Sequence, residues 1–184
     1  MLPALLLLGA AAVSAPPTTA SGRVTDPDGS PIAGAQVCVV SDGTSRDCVR
    51  TAADGGYRID VPRGLKVFVR ASGFVGSEVE AGPRATPLAL KRAAALLVRV
   101  VDAQTREPLS SGKVLIYAPS GRRFGEAVPF NRAGVRVSTL EPGQVLVRAE
   151  ASGFDPGGPF PVDLVGGREE SLTIPMKKSG KPPR

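Results

Sequence analysis

The sequence predicts an all-β protein that consists of two tandem antiparallel β-sandwiches. Three observations predict this fold: apolar residues alternate along short runs, Asp-Gly pairs separate the runs, and a unit of about 75 residues occurs twice. No amphipathic stretch reaches the length of a helix. Short alternating runs at a spacing of roughly ten residues are typical of sandwiches, because each strand buries one face of its pleat.

The first unit is predicted at residues 21–92, with about seven strands. Its clearest alternating runs are Ala35–Val39, Tyr57–Val61 and Leu65–Ala71. The pairs Asp28-Gly29, Asp42-Gly43 and Asp54-Gly55 are expected to form turns between strands. Asp suits a turn because it bonds to the local backbone, and Gly suits it because it accepts a positive φ.

The second unit is predicted at residues 93–176, as a degenerate copy of the first. Ala71-Ser72-Gly73-Phe74 recurs as Ala151-Ser152-Gly153-Phe154, and Pro31 is matched by Pro108. The offset between the copies drifts along the unit, which is expected where turns lengthen and strands keep their register. The boundary is predicted near Arg92 and Ala93.

The two ends of the chain are predicted to lie outside the sandwiches. Residues 1–20 read as a signal peptide, with an apolar run too short to span a bilayer and cleavage expected after Ala15 or Ala20. We expect an exported protein, periplasmic or extracellular; a retained anchor and a buried N-terminal segment are the alternatives. Residues 177–184 are expected to form a basic, disordered tail that contacts anionic polymers weakly.

The composition argues against catalysis. The chain contains no His, so Ser-His-Asp triads, Cys-His pairs and most zinc sites are excluded, and we expect no catalytic residue, no metal and no cofactor. Calcium binding by Asp26, Asp28 and Asp54 is disfavoured because no dense liganding loop surrounds them. The pairs Glu78 with Glu80 and Glu169 with Glu170 are interpreted as solvated strand-edge charges.

The net charge of +6 does not predict a nucleic-acid partner. Four of the positive charges lie after residue 176, and residues 93–176 carry nine basic and nine acidic side chains. The excess is therefore concentrated in the tail instead of forming a basic face on a folded unit.

Cys38 and Cys48 are predicted to form a disulfide. They lie at equal distances from Gly43, in a turn-forming stretch between two β-prone runs, so a hairpin would place them on facing positions. A redox-active pair is the alternative, but there is no Cys-x-x-Cys motif.

The first unit resembles the carboxypeptidase regulatory-like domains of the transthyretin-like, or prealbumin-like, β-sandwich group. The resemblance is carried by four blocks in order: Gly22–Val37, Thr51–Tyr57, Pro62-Arg63-Gly64 and Ala71–Phe74. It implies a prealbumin-like sandwich that is usually non-catalytic and accompanies peptidases, outer-membrane receptors or surface arrays. The second unit keeps the strand pattern, but Asn131-Arg132-Ala133-Gly134 replaces the Asp-Gly turn.

Alternation within the strands predicts a candidate contact surface. If Val37 and Val39 point into the core, Cys38 and Val40 point out, and the same pattern turns four further apolar side chains outward. The candidate surface residues are Val40, Phe68, Leu115, Tyr117 and Leu146. The resemblance places their strands side by side in each sheet, so exposed apolar patches are expected, which dock the two units, bind a partner protein or bind a ligand.

The function expected from these observations is that of an exported, non-catalytic β-sandwich module with a structural or protein-interaction role at the cell envelope or outside the cell. Its partner is expected to be an unidentified protein or polysaccharide at the cell surface. A carbohydrate-binding module is the alternative, and it would need exposed rings for stacking. The candidate rings are Phe68, Tyr117, Phe124, Phe130 and Phe160, and the absence of Trp counts against a strong sugar site.

Overall fold

The computed structural model describes residues 18–62, 64–80 and 86–180. The greater part of the predicted signal peptide, including Ala15, and the last four residues of the predicted tail lie outside the described residues. The strands are β1 (Thr18–Thr25), β2 (Gln36–Ser41), β3 (Thr44–Arg50), β4 (Gly56–Val61), β5 (Lys66–Arg70), β6 (Ser77–Glu80), β7 (Thr86–Ala89), β8 (Ala94–Asp102), β9 (Gly112–Tyr117), β10 (Arg123–Phe130), β11 (Val135–Leu140), β12 (Gly143–Glu150), β13 (Gly157–Leu164) and β14 (Glu169–Met176). Within the part of the chain that is described, no helix is long and apolar enough to cross a membrane.

The strands form four sheets, two in each half of the chain. The first half pairs its strands in the orders β4-β1-β7 and β3-β2-β5-β6, and the second half repeats the arrangement as β11-β8-β14 and β10-β9-β12-β13. Each half is therefore a sandwich of a three-stranded and a four-stranded sheet, which confirms the predicted tandem fold. The expectation of purely antiparallel sheets is wrong at one place in each half, because β1 pairs in parallel with β7 and β8 pairs in parallel with β14.

Each sandwich has its own core of aliphatic side chains. The first core includes Val37, Val67 and Val69, which alternate along β2 and β5 as predicted. The second includes Leu96 and Ile174, both completely buried. Burial of each such side chain stabilises the fold by about 1.5–3 kcal/mol, so the alternation accounts for the sandwiches.

The internal repeat extends to the turns that open each sandwich. Asp26 directly follows β1 and Asp102 is the last residue of β8. Each accepts hydrogen bonds from backbone N–H groups of the turn that comes next. Pro31 and Pro108 then pair with that strand through equivalent isolated bridges. The predicted match of Pro31 with Pro108 is therefore a match of position in the fold.

The predicted tail begins too early. Lys177, Lys178 and Ser179 belong to the second sandwich, because the Lys177 carbonyl accepts a hydrogen bond from Asp155 and the Ser179 N–H donates to Gly153. Lys178 also pairs with the buried Asp102, at 3.7 Å between Nζ and Oδ2. The prediction of disorder is wrong for these residues, since backbone hydrogen bonds hold Lys177 and Ser179 to the second sandwich and an ion pair holds Lys178.

Candidate contact surfaces and the inter-sandwich junction

The disulfide predicted between Cys38 and Cys48 is present. Strands β2 and β3 form a hairpin around Asp42-Gly43, whose φ angles are both positive, at 50° and 71°. Two positive φ angles in a two-residue loop match the right-handed twist of the flanking strands. A bulge at Asp47 then keeps the two Cys residues opposite each other.

Phe68 lies beside this disulfide, and its ring is covered. It is the cross-strand partner of Cys38, and a Cβ on Gly76 would lie only 2.5 Å from the ring. Cys38 is 1% exposed, so its predicted exposure is wrong. Val40 and Phe68 are half-buried, and Val40 lies opposite Lys66. The first expected patch is therefore a small packed cluster on the outer face of the sheet.

Leu115 is also not exposed. It is 6% exposed, which corrects the expectation from alternation. Arg148 lies directly opposite it on β12, and the Nε atom of Arg148 is buried without a hydrogen-bond partner among the described residues. Because arginine covers apolar neighbours with its aliphatic stem, we attribute the burial of Leu115 to Arg148.

Tyr117 and Leu146 form the remaining part of the predicted surface. They are half-buried, they face each other directly across β9 and β12, and Pro161 continues the row on β13. Among the described residues, the strands of the first sandwich do not pack extensively against those of the second. The interpretation that these residues dock the two units onto each other therefore has no support. We call Tyr117, Leu146 and Pro161 together the Tyr117 row.

Most of the candidate rings for sugar stacking are not exposed. Phe130 is 5% exposed within the second core, and Phe124 and Phe160 pack against that core. Phe68 is covered by Gly76. Tyr117 is half-buried, as are Phe68, Phe124 and Phe160, so none of the five candidate rings is exposed and the arrangement offers little for stacking on a sugar.

The carboxylates considered as calcium ligands are bound by other groups. Arg92 donates to Asp26 at 2.8 Å and to Asp28 at 2.7 Å. Asp54 accepts a hydrogen bond from the Gly56 N–H, which lowers the pKa of Asp54 below its ordinary value, with a smaller contribution from Arg23. Within residues 18–62, 64–80 and 86–180, no group of three or more acidic or Cys side chains is placed to hold a metal.

Three other groups have shifted pKa values. Hydrogen bonds from the backbone N–H groups of Gln104 and Thr105, together with Lys178, lower the pKa of Asp102. The hydrogen bond and charge of Glu78 raise the pKa of Lys66, and burial raises the pKa of Tyr57. These shifts follow from ion pairs, turns and burial, which are structural causes. Glu169 pairs with Arg136 in the same way as Glu78 pairs with Lys66.

The two sandwiches are joined by a short connector, Leu90–Ala93, which contains the boundary predicted near Arg92 and Ala93, although its contacts were not predicted. Its N-terminal part belongs to the first sandwich: Leu90 is 1% exposed in that core and donates to Thr25, while the Ala93 N–H donates to Gly73. The Ala93 carbonyl accepts from Gly167 of the second sandwich at 2.8 Å. Every part of the connector is therefore hydrogen-bonded to one sandwich or to both.

Two side chains of the connector reinforce this junction. Arg92 bridges Asp26 and Asp28 of the first sandwich, while its backbone carbonyl lies against Gly166 of the second, where a Cβ would approach it to 2.8 Å. Lys91 pairs with Glu141 across the junction at 2.7 Å. Arg92 forms an isolated β-bridge with Phe74, and Lys178 forms the equivalent β-bridge with Phe154. Comparison of the two repeats could therefore have identified Arg92 as a structural cation from the sequence.

Residues 19–88 match the family model of the carboxypeptidase regulatory-like domain. The match spans the first sandwich from β1 into β7, and it confirms the resemblance inferred from the sequence. It does not extend into the second sandwich. No curated protein matches the chain.

Several solved structures are similar to the chain. The TIE protein of Bacillus anthracis is 17% identical with a TM-score of 0.41, covering 89% of this chain and 34% of its own. A streptococcal ancillary pilin is 14% identical with a TM-score of 0.41, covering 93% of this chain and 64% of its own. The minor pilin of Streptococcus agalactiae is 16% identical with a TM-score of 0.42, and the match covers 90% of this chain and 98% of the pilin. The chain thus spans about a third of the TIE protein.

Proposed function

We propose that the chain, whose first sandwich matches the carboxypeptidase regulatory-like domain, is an exported, non-catalytic structural module that presents a protein contact at the cell envelope or outside the cell. The junction carries this proposal. A connector that is bonded to both sandwiches has little freedom to bend, so the two sandwiches should act as one stiff spacer. Flexible linkers, in contrast, leave most of their backbone solvated.

A non-catalytic role is supported by the side chains that would otherwise carry chemistry. The chain has no His. Glu78 and Glu169 pair with Lys66 and Arg136, and Asp26 is held by Arg92. Export is supported by the disulfide, since disulfides persist mainly in oxidising compartments.

The contact is proposed to lie on the Tyr117 row, with a protein as its partner. The row is apolar and lies on the outer face of a four-stranded sheet, whose strands do not pack extensively against the strands of the first sandwich. To test it, a photo-cross-linking residue replaces Tyr117 in cells that express the full chain. The control replaces Arg99, which is exposed on β8 of the other sheet. A discrete protein adduct at position 117 and none at 99 is expected, whereas equal labelling would contradict the proposed contact.

The stiff junction is tested by backbone ¹⁵N relaxation of the mature chain, which here means the chain without its predicted signal peptide. Both sandwiches should tumble with one correlation time. Insertion of Gly-Ser-Gly-Ser between Arg92 and Ala93 should separate their tumbling, because it lengthens the connector. The same insertion after Gly121, in the exposed β9–β10 turn, should leave the common tumbling intact. Independent tumbling in the unmodified chain would refute the spacer.

A further inference from the structure

We propose that the cleft between the two sandwiches binds a small hydroxylated carboxylate. The cleft has a volume of about 490 Å³ and lies where the Ser72-Gly73 turn of the first sandwich faces the outer side of β8, β11 and β14. Small-molecule sites have volumes of about 300–1,000 Å³ and occur preferentially between domains. This inference rests on the stiff junction proposed above, because the cleft exists only while the two sandwiches keep one orientation, but it does not depend on the protein contact at the Tyr117 row.

The floor of the cleft is built from three successive alanines, Ala93–Ala95. Ala94 and Leu96 point into the second core, so Ala95 points the other way, towards the cleft. Ala95 lies opposite Glu169 on β14 and is 8% exposed. A methyl group at this position leaves the volume open, and a longer side chain would occupy it.

The charges that line the cleft favour one negative charge on the ligand. Arg136, Arg168 and Glu169 line it, and Arg136 donates to Glu169. Arg168 is exposed, and no carboxylate among the described residues lies within salt-bridge distance of it. The remaining charge is therefore positive and is carried by a guanidinium, whose parallel N–H groups match the two oxygens of a carboxylate.

The other polar groups of the cleft are hydroxyls. Ser72, Ser138 and Thr139 line it, and all three are exposed. The Thr139 hydroxyl donates to the Ser138 carbonyl, so its oxygen remains available as an acceptor. No aromatic ring is among the described lining residues. Recognition would therefore depend on hydrogen bonds, which explains why the ligand should carry hydroxyl groups beside its carboxylate.

Thr139 also has an unusual backbone conformation. Its φ is 64°, and it lies in a bulge where the register of β11 against β8 shifts between Val137 and Leu140. A positive φ is rare for a β-branched residue and persists only where the surrounding structure holds it. Bulges re-aim side chains, and this one places Ser138 and Thr139 at the wall of the cleft.

The test is an amide NMR titration of the mature chain with D-glucuronate, D-glucose and acetate. Glucuronate should give saturable shifts at Ser138, Thr139, Gly167 and Arg168, with a Kd on the order of 1 mM, as is typical of small ligands held by a few hydrogen bonds. Glucose lacks the carboxylate and acetate lacks the hydroxyls, so each should bind at least about tenfold more weakly.

Variants separate this site from general attraction of anions. Arg168→Gln should weaken glucuronate binding about tenfold, because it removes a charge-assisted pair. Arg132→Gln, in the β10–β11 turn at the far end of β11, should leave the affinity unchanged. Ala95→Leu should abolish binding while the amide spectrum away from the cleft stays native. Equal effects of the two arginine variants, shifts that do not saturate, or acetate binding as tight as glucuronate would overturn the proposal.

Discussion

Replacement of Gly55 by alanine should destabilise the first sandwich far more than the same replacement at Gly29. Both glycines have similar positive φ angles, 76° and 85°. An alanine in this region costs about 1–2 kcal/mol at either site. The surroundings differ, because a Cβ at Gly55 would lie 2.4 Å from the Val24 carbonyl oxygen, whereas a Cβ at Gly29 would meet nothing within 4 Å.

The extra cost at Gly55 follows from this clash. An ordinary C···O contact is about 3.3 Å or longer, so the backbone of β1 or of the turn must move by nearly 1 Å. Such overpacking costs about 1–3 kcal/mol, and the movement also weakens the 2.9 Å hydrogen bond from the Val24 N–H to the Gly55 carbonyl, worth about 0.5–1.5 kcal/mol. We therefore expect a loss of about 3–6 kcal/mol for Gly55→Ala, against about 1–2 kcal/mol for Gly29→Ala.

The assay uses the tyrosines of the chain, which has two Tyr and no Trp. Tyr57 is in the first core, so in a Tyr117→Phe background its emission reports urea unfolding of the first sandwich alone. Both variants carry the cost of an alanine at a positive φ, so the difference between their losses of unfolding free energy measures the clash at Gly55 alone. Equal losses of unfolding free energy in the two variants would refute the reasoning.

The remaining predictions concern the disulfide, a turn carboxylate and the processing site. Replacing Cys38 and Cys48 together by Ala should lower the stability of the first sandwich by about 2–3 kcal/mol in the chain-entropy estimate for a ten-residue ring, measured by the same emission. Because the folded pKa of Asp102 is lowered from 3.8, its stabilising effect should be present above that pH and lost as pH falls through the folded value. Asp102→Asn should reduce the dependence of the melting temperature on pH between pH 2 and about 5. An unchanged dependence on pH would contradict this prediction. If the chain is exported as proposed, mass spectrometry should show cleavage after Ala15, since cleavage after Ala20 would remove the first three residues of β1, of which Ala20 is buried.

The strands and the repeat could be predicted because they depend on local rules. A period of two marks the buried face of β5, and the Asp42-Gly43 turn predicts the hairpin of β2 and β3. The turn alone would place Cys38 opposite Asp47, and the bulge at Asp47 places it opposite Cys48 instead. The parallel pairing of β1 with β7 was missed, because no local pattern records which strands meet after five intervening ones.

The predicted contact surface was only partly recovered, since alternation gives the face of a side chain and not what covers it. Phe68 points outward and is covered by Gly76, eight positions further along the chain. Leu115 points outward and lies opposite Arg148, a charged residue that sequence patterns assign to solvent. Burial on an outer sheet face therefore depends on long side chains and loop backbones, which hydrophobic periodicity does not describe.

The junction shows the same limit and also a way around it. Arg92 and Asp26 are 66 positions apart, so neither residue signals its partner. Their counterparts in the second sandwich, Lys178 and Asp102, make the equivalent pair, and in both sandwiches the carboxylate is the one that organises the first turn. In each sandwich, a cation just after the last strand thus binds the carboxylate that organises the first turn of the same sandwich. In the first sandwich this cation is an arginine that reaches a second carboxylate on Asp28, at the point where the next sandwich begins. Because lysine offers a single point charge and arginine a planar fork, the stronger form of the contact lies where it controls the relative orientation of two folded units.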